Sequence, residues 1–252
     1  NNKVYNPLAP YNAVTNPYLA YAATINLSDA DPDAIFGVNT PLTATASTTP
    51  PTLMDSFNAL FAETGSTGGV LQDKQQLHAA GLLHQNDPSP VHIYSESGDI
   101  SGLTLFSGKA GQIIAGRDLT DISLYIQNTG AQDISLVQAG RDIIAYDANS
   151  VLRLFSQAGL DQSSVHLGLP SPLPGDIQIS GPGTLEVLAG RNLDLGAGPN
   201  NSDGTGVGIT SIGNERNPGL PFAGANITAG AGLGGAGGLE SSTIGFSSFS
   251  HY

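Results

Sequence analysis

Short runs of alternating apolar and polar residues dominate the middle of the chain. Ile122, Leu124 and Ile126 alternate with Ser123 and Tyr125, and Ile134 and Leu136 flank Ser135. Leu152 and Leu154, Ile177 and Ile179, Leu185 and Val187, and Leu193 and Leu195 continue the pattern. Period-two patterning over short runs, bounded by Gly, Asp and Asn, predicts half-buried β-strands with their apolar side toward a core.

One short motif punctuates these runs between Gly98 and Leu195. GDI ends at Ile100, AGRDL at Leu119, AGRDI at Ile143, PGDI at Ile177 and AGRNL at Leu193, with a weaker AGANI ending at Ile227. The acidic or amide positions Asp99, Asp118, Asp142, Asp176, Asn192 and Asn226 stand about 25 residues apart on average, within the range of solenoid coils. Glycine reaches positive φ at little cost, and Asp and Asn tolerate it better than other residues. Each Gly-x-Asp/Asn therefore reads as a corner between strands, followed by an Ile or Leu that points inward. The corner residues are Gly98, Asp99, Gly116, Arg117, Asp118, Gly140, Arg141, Asp142, Gly175, Asp176, Gly190, Arg191 and Asn192. Uneven gaps imply loops of different length, the clearest being Ser163 to Gly175. The expectation is a coiling parallel β-solenoid of about six coils, spaced about 4.8 Å apart.

The flanks differ. Residues 1–50 are rich in Pro, Thr, Asn and Ala, with Tyr5, Tyr11, Tyr18 and Tyr21 among them, and read as an extended segment packed on a larger surface, with a linker as the alternative. Residues 51–85 read as a helical flank or cap. Thr52 and Asp55 resemble a capping box, and Met54, Phe57, Leu60 and Phe61 share one helical face. A second helix is expected over Val70–Ala80, ended by Gly81. The solenoid proper spans 86–213, opened by Pro88 and Pro90, and 214–252 reads as a Gly-rich C-terminal tail. The end coils of a solenoid carry unpaired edges. Helices are expected to cap one end, while the Gly-rich tail makes a poor cap for the other.

Composition narrows the function. Eight Lys and Arg against 21 Asp and Glu leave a net charge of −13, which disfavours nucleic acid and anionic membrane surfaces as partners. The chain has no cysteine, hence no disulfide framework, and no apolar run long enough for a spanning helix. It opens NNKVYNPL, with neither an initiating Met nor a signal peptide, and reads as a processed product or a piece of a longer protein.

Candidate chemistry is sparse. Arg117, Arg141 and Arg191 each precede an acidic or amide residue and are placed to pair with carboxylates one coil away, as a stabilising ladder or as a grip on an anionic ligand. Glycoside hydrolysis needs two carboxylates about 5 to 10 Å apart. Asp118 with Asp121, or Asp142 with Asp147, are the pairs to consider, but every such residue also suits a turn. Asp29, Asp31 and Asp33 alternate like the start of a calcium loop. Ala34 stands where that loop needs Gly, and the later Glu is missing. His78, His84, His92, His166 and His251 lack ligand spacing, and no phosphate loop, GxSxG or HExxH is present. No catalytic residue and no cofactor is assigned.

The string DPSPVHIYSESGDISGLTLFSGKAGQIIAGRDLTDISLYIQN, with ISLVQAGRDI and GPGTLEVLAGRNLDLG after it, resembles the filamentous-haemagglutinin family of bacterial exoproteins, from about Asn86 to Gly230. It is similar in particular to the C-terminal region of a large uncharacterised branch of that family. The resemblance implies a right-handed parallel β-helix, secreted through an outer-membrane partner transporter by two-partner secretion. Adhesion, biofilm formation and, in some members, delivery of a C-terminal toxin are the family's roles. The chain lacks the family's N-terminal secretion domain and carries nothing like a toxin module.

The expectation is therefore an all-β, right-handed parallel β-helix with irregular corner insertions and a short helical N-terminal flank. It would act as a structural or adhesive scaffold segment of a secreted, cell-surface exoprotein, not as an enzyme. Partners are the transporter, a host or neighbouring-cell surface, and copies of itself or other exoprotein segments, with extracellular filaments one form of assembly. The alternatives are a carbohydrate-active β-helix enzyme and a glycan- or protein-binding adhesin module.

Overall fold

The computed structural model describes residues 23–27, 78–147, 175–196, 208–211, 217, 219–221 and 223–234. These residues form fourteen strands, all paired in parallel. They are β1 (Ala23–Leu27), β2 (Val91–Ser95), β3 (Ile100–Ser101), β4 (Leu103–Ser107), β5 (Gly111–Ala115), β6 (Leu119–Thr120) and β7 (Ser123–Gln127). After them come β8 (Ile134–Ala139), β9 (Ile143–Ile144), β10 (Asp176–Ser180), β11 (Thr184–Ala189), β12 (Leu193–Asp194), β13 (Gly208–Ser211) and β14 (Asn226–Gly230).

The strands make three sheets. Sheet I runs β2-β5-β8-β11-β14, sheet II runs β3-β6-β9-β12, and sheet III runs β1-β4-β7-β10-β13. From β2 onward the chain visits I, II and III in turn and then begins again, each circuit stacking on the one before. The described residues are thus all-β, with parallel strands in stacked sheets, an arrangement compatible with a β-solenoid. We call each circuit a coil.

Inward side chains form apolar columns. In sheet III, Ile25, Leu105, Leu124, Ile177 and Ile209 stand in one register. In sheet I, Ile93, Ile113, Val137, Val187 and Ala229 do the same. Leu119, Leu124, Ile126, Ile143, Ile177, Ile179, Leu185 and Val187 are fully buried and belong to a single core cluster. In β2, β5 and β8 of sheet I more and less buried positions alternate, whereas Phe106 of sheet III faces away from the core and is buried too.

The structure corrects several expectations. No helix occurs among the described residues, and His78–Gln85 form a bridge and turns where the second helix should end. The rest of the helical flank, 51–77, lies outside the described residues, as do most of the Ser163–Gly175 loop and the aspartates Asp29, Asp31 and Asp33. β14 falls inside the supposed C-terminal tail. In β8 the frame is opposite to the one read from Ile134 and Leu136. Ser135 faces the core, fully buried, and Ile134 is 51% exposed. The reason is the neighbouring coil, where Gly111 precedes inward Ile113. Ser135 Oγ accepts the Gly111 N–H (3.2 Å) and donates to Asn128 Oδ1 (2.7 Å), so the hydroxyl is buried with both roles filled.

Among the corner glycines, Gly116, Gly140 and Gly190 are explained by stacking and not by φ, whereas Gly175 takes the expected positive φ of 76°. Positive φ belongs to Gly102, Asp121, Gly175, Gly181, Gly183, Gly196, Gly208 and Gly232, and to none of Gly98, Gly116, Gly140 or Gly190. A Cβ on Gly116, Gly140 or Gly190 would run into the backbone carbonyl of Glu96, Gly116 or Gly140 respectively, one coil earlier. Gly98 does not belong to this column. Glu96 holds that register, and the Gly98 carbonyl accepts from Arg117 N (3.0 Å). Gly140→Ala is therefore expected to cost about 3 kcal/mol, because the obstruction is backbone. Gly98→Ala, whose Cβ meets only Ser95 Oγ at 3.0 Å, should cost clearly less. Equal losses in chemical denaturation would contradict the stacked-glycine geometry.

Candidate functional site

The charged corner between sheets I and II is the densest cluster of ionisable groups in the described chain. Ala115, Ala139 and Ala189 align across sheet I, and Ile100, Leu119, Ile143 and Leu193 align across sheet II. The residues between them must stack as well. Arg117, Arg141 and Arg191 hold one column, tied by the backbone bonds Arg141 N to Arg117 O (2.9 Å) and Arg191 N to Arg141 O (2.7 Å). Asp99, Asp118, Asp142 and Asn192 hold the next.

Each arginine reaches back one coil. Arg117 Nε lies 3.2 Å from Asp99 Oδ1. Arg141 Nε donates to Asp118 Oδ1 (3.0 Å), and its Nη2 donates to Asp118 Oδ2. Arg191 repeats this on Asp142, with Nε to Oδ1 at 3.1 Å and Nη2 to Oδ2 at 2.5 Å. The same carboxylates accept the backbone N–H of the next rung: Asp118 N to Asp99 (3.1 Å), Asp142 N to Asp118 (3.1 Å) and Asn192 N to Asp142 (3.2 Å). A planar guanidinium meeting a carboxylate through two donors is a strong, directional pair. The carboxylate also satisfies a backbone donor that the turn leaves unpaired.

The ladder stops where its chemistry stops. Asn192 follows Asp142, and its Nδ2 donates to Asp142 Oδ1 (3.0 Å). Over that corner the next coil places Gly232 and Gly234, whose N–H groups bond Arg191 O and Gly190 O (both 2.9 Å), and no arginine. A carboxylate at 192 would have no guanidinium above it; an amide needs none. At the other end Gly98 stands in the arginine register. Three arginines thus meet three aspartates with no charge left over. This ending was readable in AGRNL, where Asn replaces Asp, but only once the next coil's lack of Arg is known.

The remaining predicted corners lie elsewhere. Gly175 and Asp176 open β10 in sheet III, where Tyr125 Oη donates to Asp176 Oδ2 (3.4 Å), and Asn226 opens β14 in sheet I. Neither copy belongs to the charged column; Gly175 takes a positive φ of 76°, and the residues before it lie outside the described ones. Of the carboxylate pairs considered for glycoside chemistry, Asp118 and Asp142 are engaged by arginines. Asp121, at φ 51°, accepts the Asp147 N–H (3.2 Å). Among the described residues no group of three or more His, Asp or Glu is arranged to hold a metal ion. Sequence reasoning missed a further ion pair among the described residues, Lys109 Nζ to Asp87 Oδ2 (2.5 Å), which ties the lead-in turn to the β4–β5 corner. It also missed the outer face of β2, where the His92 and Tyr94 rings stack at 5.3 Å and Tyr94 Oη donates to Gln112 (2.8 Å).

Electrostatics follow the contacts. Desolvation pushes the Asp142 carboxyl up, but the Arg191 guanidinium and the two Asn192 donors outweigh it and hold the group below its ordinary value. The Asp118 carboxylate, through its hydrogen bonds, raises Arg141 further above its usual value. The Lys109 hydrogen bond, helped by Ser89 N–H, lowers Asp87. Comparison of the chain with protein-family models, curated proteins and solved structures finds no match.

Two outcomes are expected. Asp142→Ala should cost about 2 kcal/mol, since it strands Asn192 N–H and a guanidinium together. Arg191→Ala, whose side chain is half exposed, should cost about 1 kcal/mol or less. A double-mutant cycle showing no coupling between them would contradict the ladder. Because the Asp142 and Asp87 carboxyls are depressed in the fold, their stabilisation is complete above the unfolded value near 4 and drains as pH falls through the folded values. The melting midpoint should stay level from about pH 7 to about pH 5 and drop below about pH 4. A midpoint that rises on acidification would contradict this.

Proposed function

We propose that this chain is a structural, adhesive scaffold segment of a large secreted exoprotein at a bacterial cell surface, working by shape and surface. In this reading the stack is a right-handed parallel β-helix, the hand that connections between parallel strands take almost without exception. The observation that carries the reading is the corner ladder. Its arginines and aspartates are spent pairwise on joining one coil to the next, which serves a stiff rod and leaves these groups unavailable to a substrate. The resemblance of AGRD, AGRN and GPGTLEVLAG to filamentous-haemagglutinin exoproteins supports the same reading and brings with it an outer-membrane transporter as the partner in secretion.

Antibodies against the chain are expected to label the surface of intact producing bacteria and to detect it in the medium. Removing the segment should lower adhesion of those cells to a surface or to each other. Confinement to the cytoplasm, or release of reducing sugar ends from a polysaccharide by the purified chain, would overturn the proposal.

A further inference from the structure

The two ends of the stack are stepped, and the steps are complementary. At the N-terminal end sheet III projects one strand beyond the others, because β1 lies before β4 while sheets I and II begin at β2 and β3. At the C-terminal end sheet I projects one strand, because β14 lies beyond β11 while sheet III stops at β13. Sheets I and III each hold five strands. Between β14 and the next place in sheet III, which no described strand fills, Gly232 and Gly234 cover the corner that leads into sheet II. Followed along the winding order from β1, the described strands take fourteen of the fifteen places in five coils, the fifth place of sheet II holding no described strand, and the place after it is in sheet III. That is the position of β1.

The inward columns are open at both steps. Ile25 of β1 and Ile227 of β14 stand in core-facing registers, yet each is 41% exposed, while Leu105 and Leu185, their neighbours inside the stack, are fully buried. Both projecting strands also present backbone edges with no strand partner among the described residues. Exposed parallel edges over an open apolar core are templates for another chain.

We infer that a second copy of this chain docks head to tail on these steps. β1 of the incoming copy pairs with β13, and its β2 pairs with β14. The registers agree in chemistry. Ile25 of the incoming copy extends the column ending at Ile209, Val91 extends the one ending at Ile227, and Ile93 extends the one ending at Ala229. The charged corner does not oppose the joint, since Asn192 and Gly98 close the ladder within each copy. The contact is heterologous and leaves both outer ends free, so it propagates into an open filament rather than a closed ring. Successive copies are offset by five rungs, about 24 Å at the usual strand spacing. The inference rests on the scaffold reading and names its partner.

The test mixes two end-blocked variants of the full chain, Ile25→Lys and Ile227→Lys, each checked for an unaltered circular-dichroism spectrum. The unsubstituted chain is expected to form filaments with an axial repeat near 24 Å in electron microscopy. Each variant alone should be monomeric by light scattering, and an equimolar mixture should give 1:1 dimers and nothing larger, since only one compatible pair of ends remains. An unsubstituted chain that stays monomeric at high concentration overturns the inference, as do variants that polymerise alone or a mixture that yields no dimer while the unsubstituted chain assembles. Should a variant fail to fold, the filament repeat decides: another spacing means another contact. A monomer at the cell surface would leave the scaffold proposal standing, whereas polysaccharide cleavage would sink that proposal whatever the mixing shows.

Discussion

Everything in this molecule answers to the distance between one coil and the next. Parallel strands pair at about 4.8 Å, and once sheets I and III adopt that spacing the corner joining sheets I and II must follow it. At Gly116, Gly140 and Gly190 the backbone sits so close to the carbonyl of the preceding coil that a single carbon atom does not fit. These glycines set the rise of the corner. The apolar columns then stack like on like, because equivalent residues of successive coils have no other neighbour to choose.

The same spacing creates the electrostatic pattern. Identical charges stacked rung upon rung would repel, and a column of aspartates is unfavourable in isolation. A column of arginines one residue before the column of Asp99, Asp118, Asp142 and Asn192 lets Arg117, Arg141 and Arg191 each reach down to the carboxylate below. Each arginine–aspartate pair across two coils is then neutral, and each carboxylate also holds the backbone of the next coil. The surface remains strongly acidic elsewhere, with 21 Asp and Glu against eight Lys and Arg. Of the four Lys and Arg among the described residues, the three arginines join coils.

Much of the fold could be read in advance. The alternation in Leu124 and Ile126, Ile177 and Ile179, and Leu185 and Val187 identifies core-facing strand positions, because burial leaves a local period of two. Parallel stacking followed from the recurring AGRD. What failed was whatever depended on a neighbour far away in sequence. The frame of β8 is decided by Gly111, 24 residues before Ser135, and not by its own alternation. PGDI looked like another AGRD because Gly, Asp and Ile also suit a strand start. Gly175 has the positive φ expected of it, but Gly116, Gly140 and Gly190 were singled out for the wrong reason, since a clash with another coil's carbonyl leaves no local trace. The charged site was visible as residue types; its ending at Asn192 needed the following coil.

The central claim is that successive coils stack in the stated parallel register, and engineered cross-links test it most directly. The natural chain has no cysteine, so pairs can be introduced without background. Gln112, Leu136 and Glu186 share one outward column of sheet I, in successive coils. Cysteine pairs at 112 and 136, and at 136 and 186, are expected to oxidise within one chain at low concentration, because neighbouring rungs fall within disulfide reach. A pair at 112 and 186 is two rungs apart and is expected to stay reduced. Ready formation of the 112–186 bond, or failure of both neighbouring pairs, would contradict the stack.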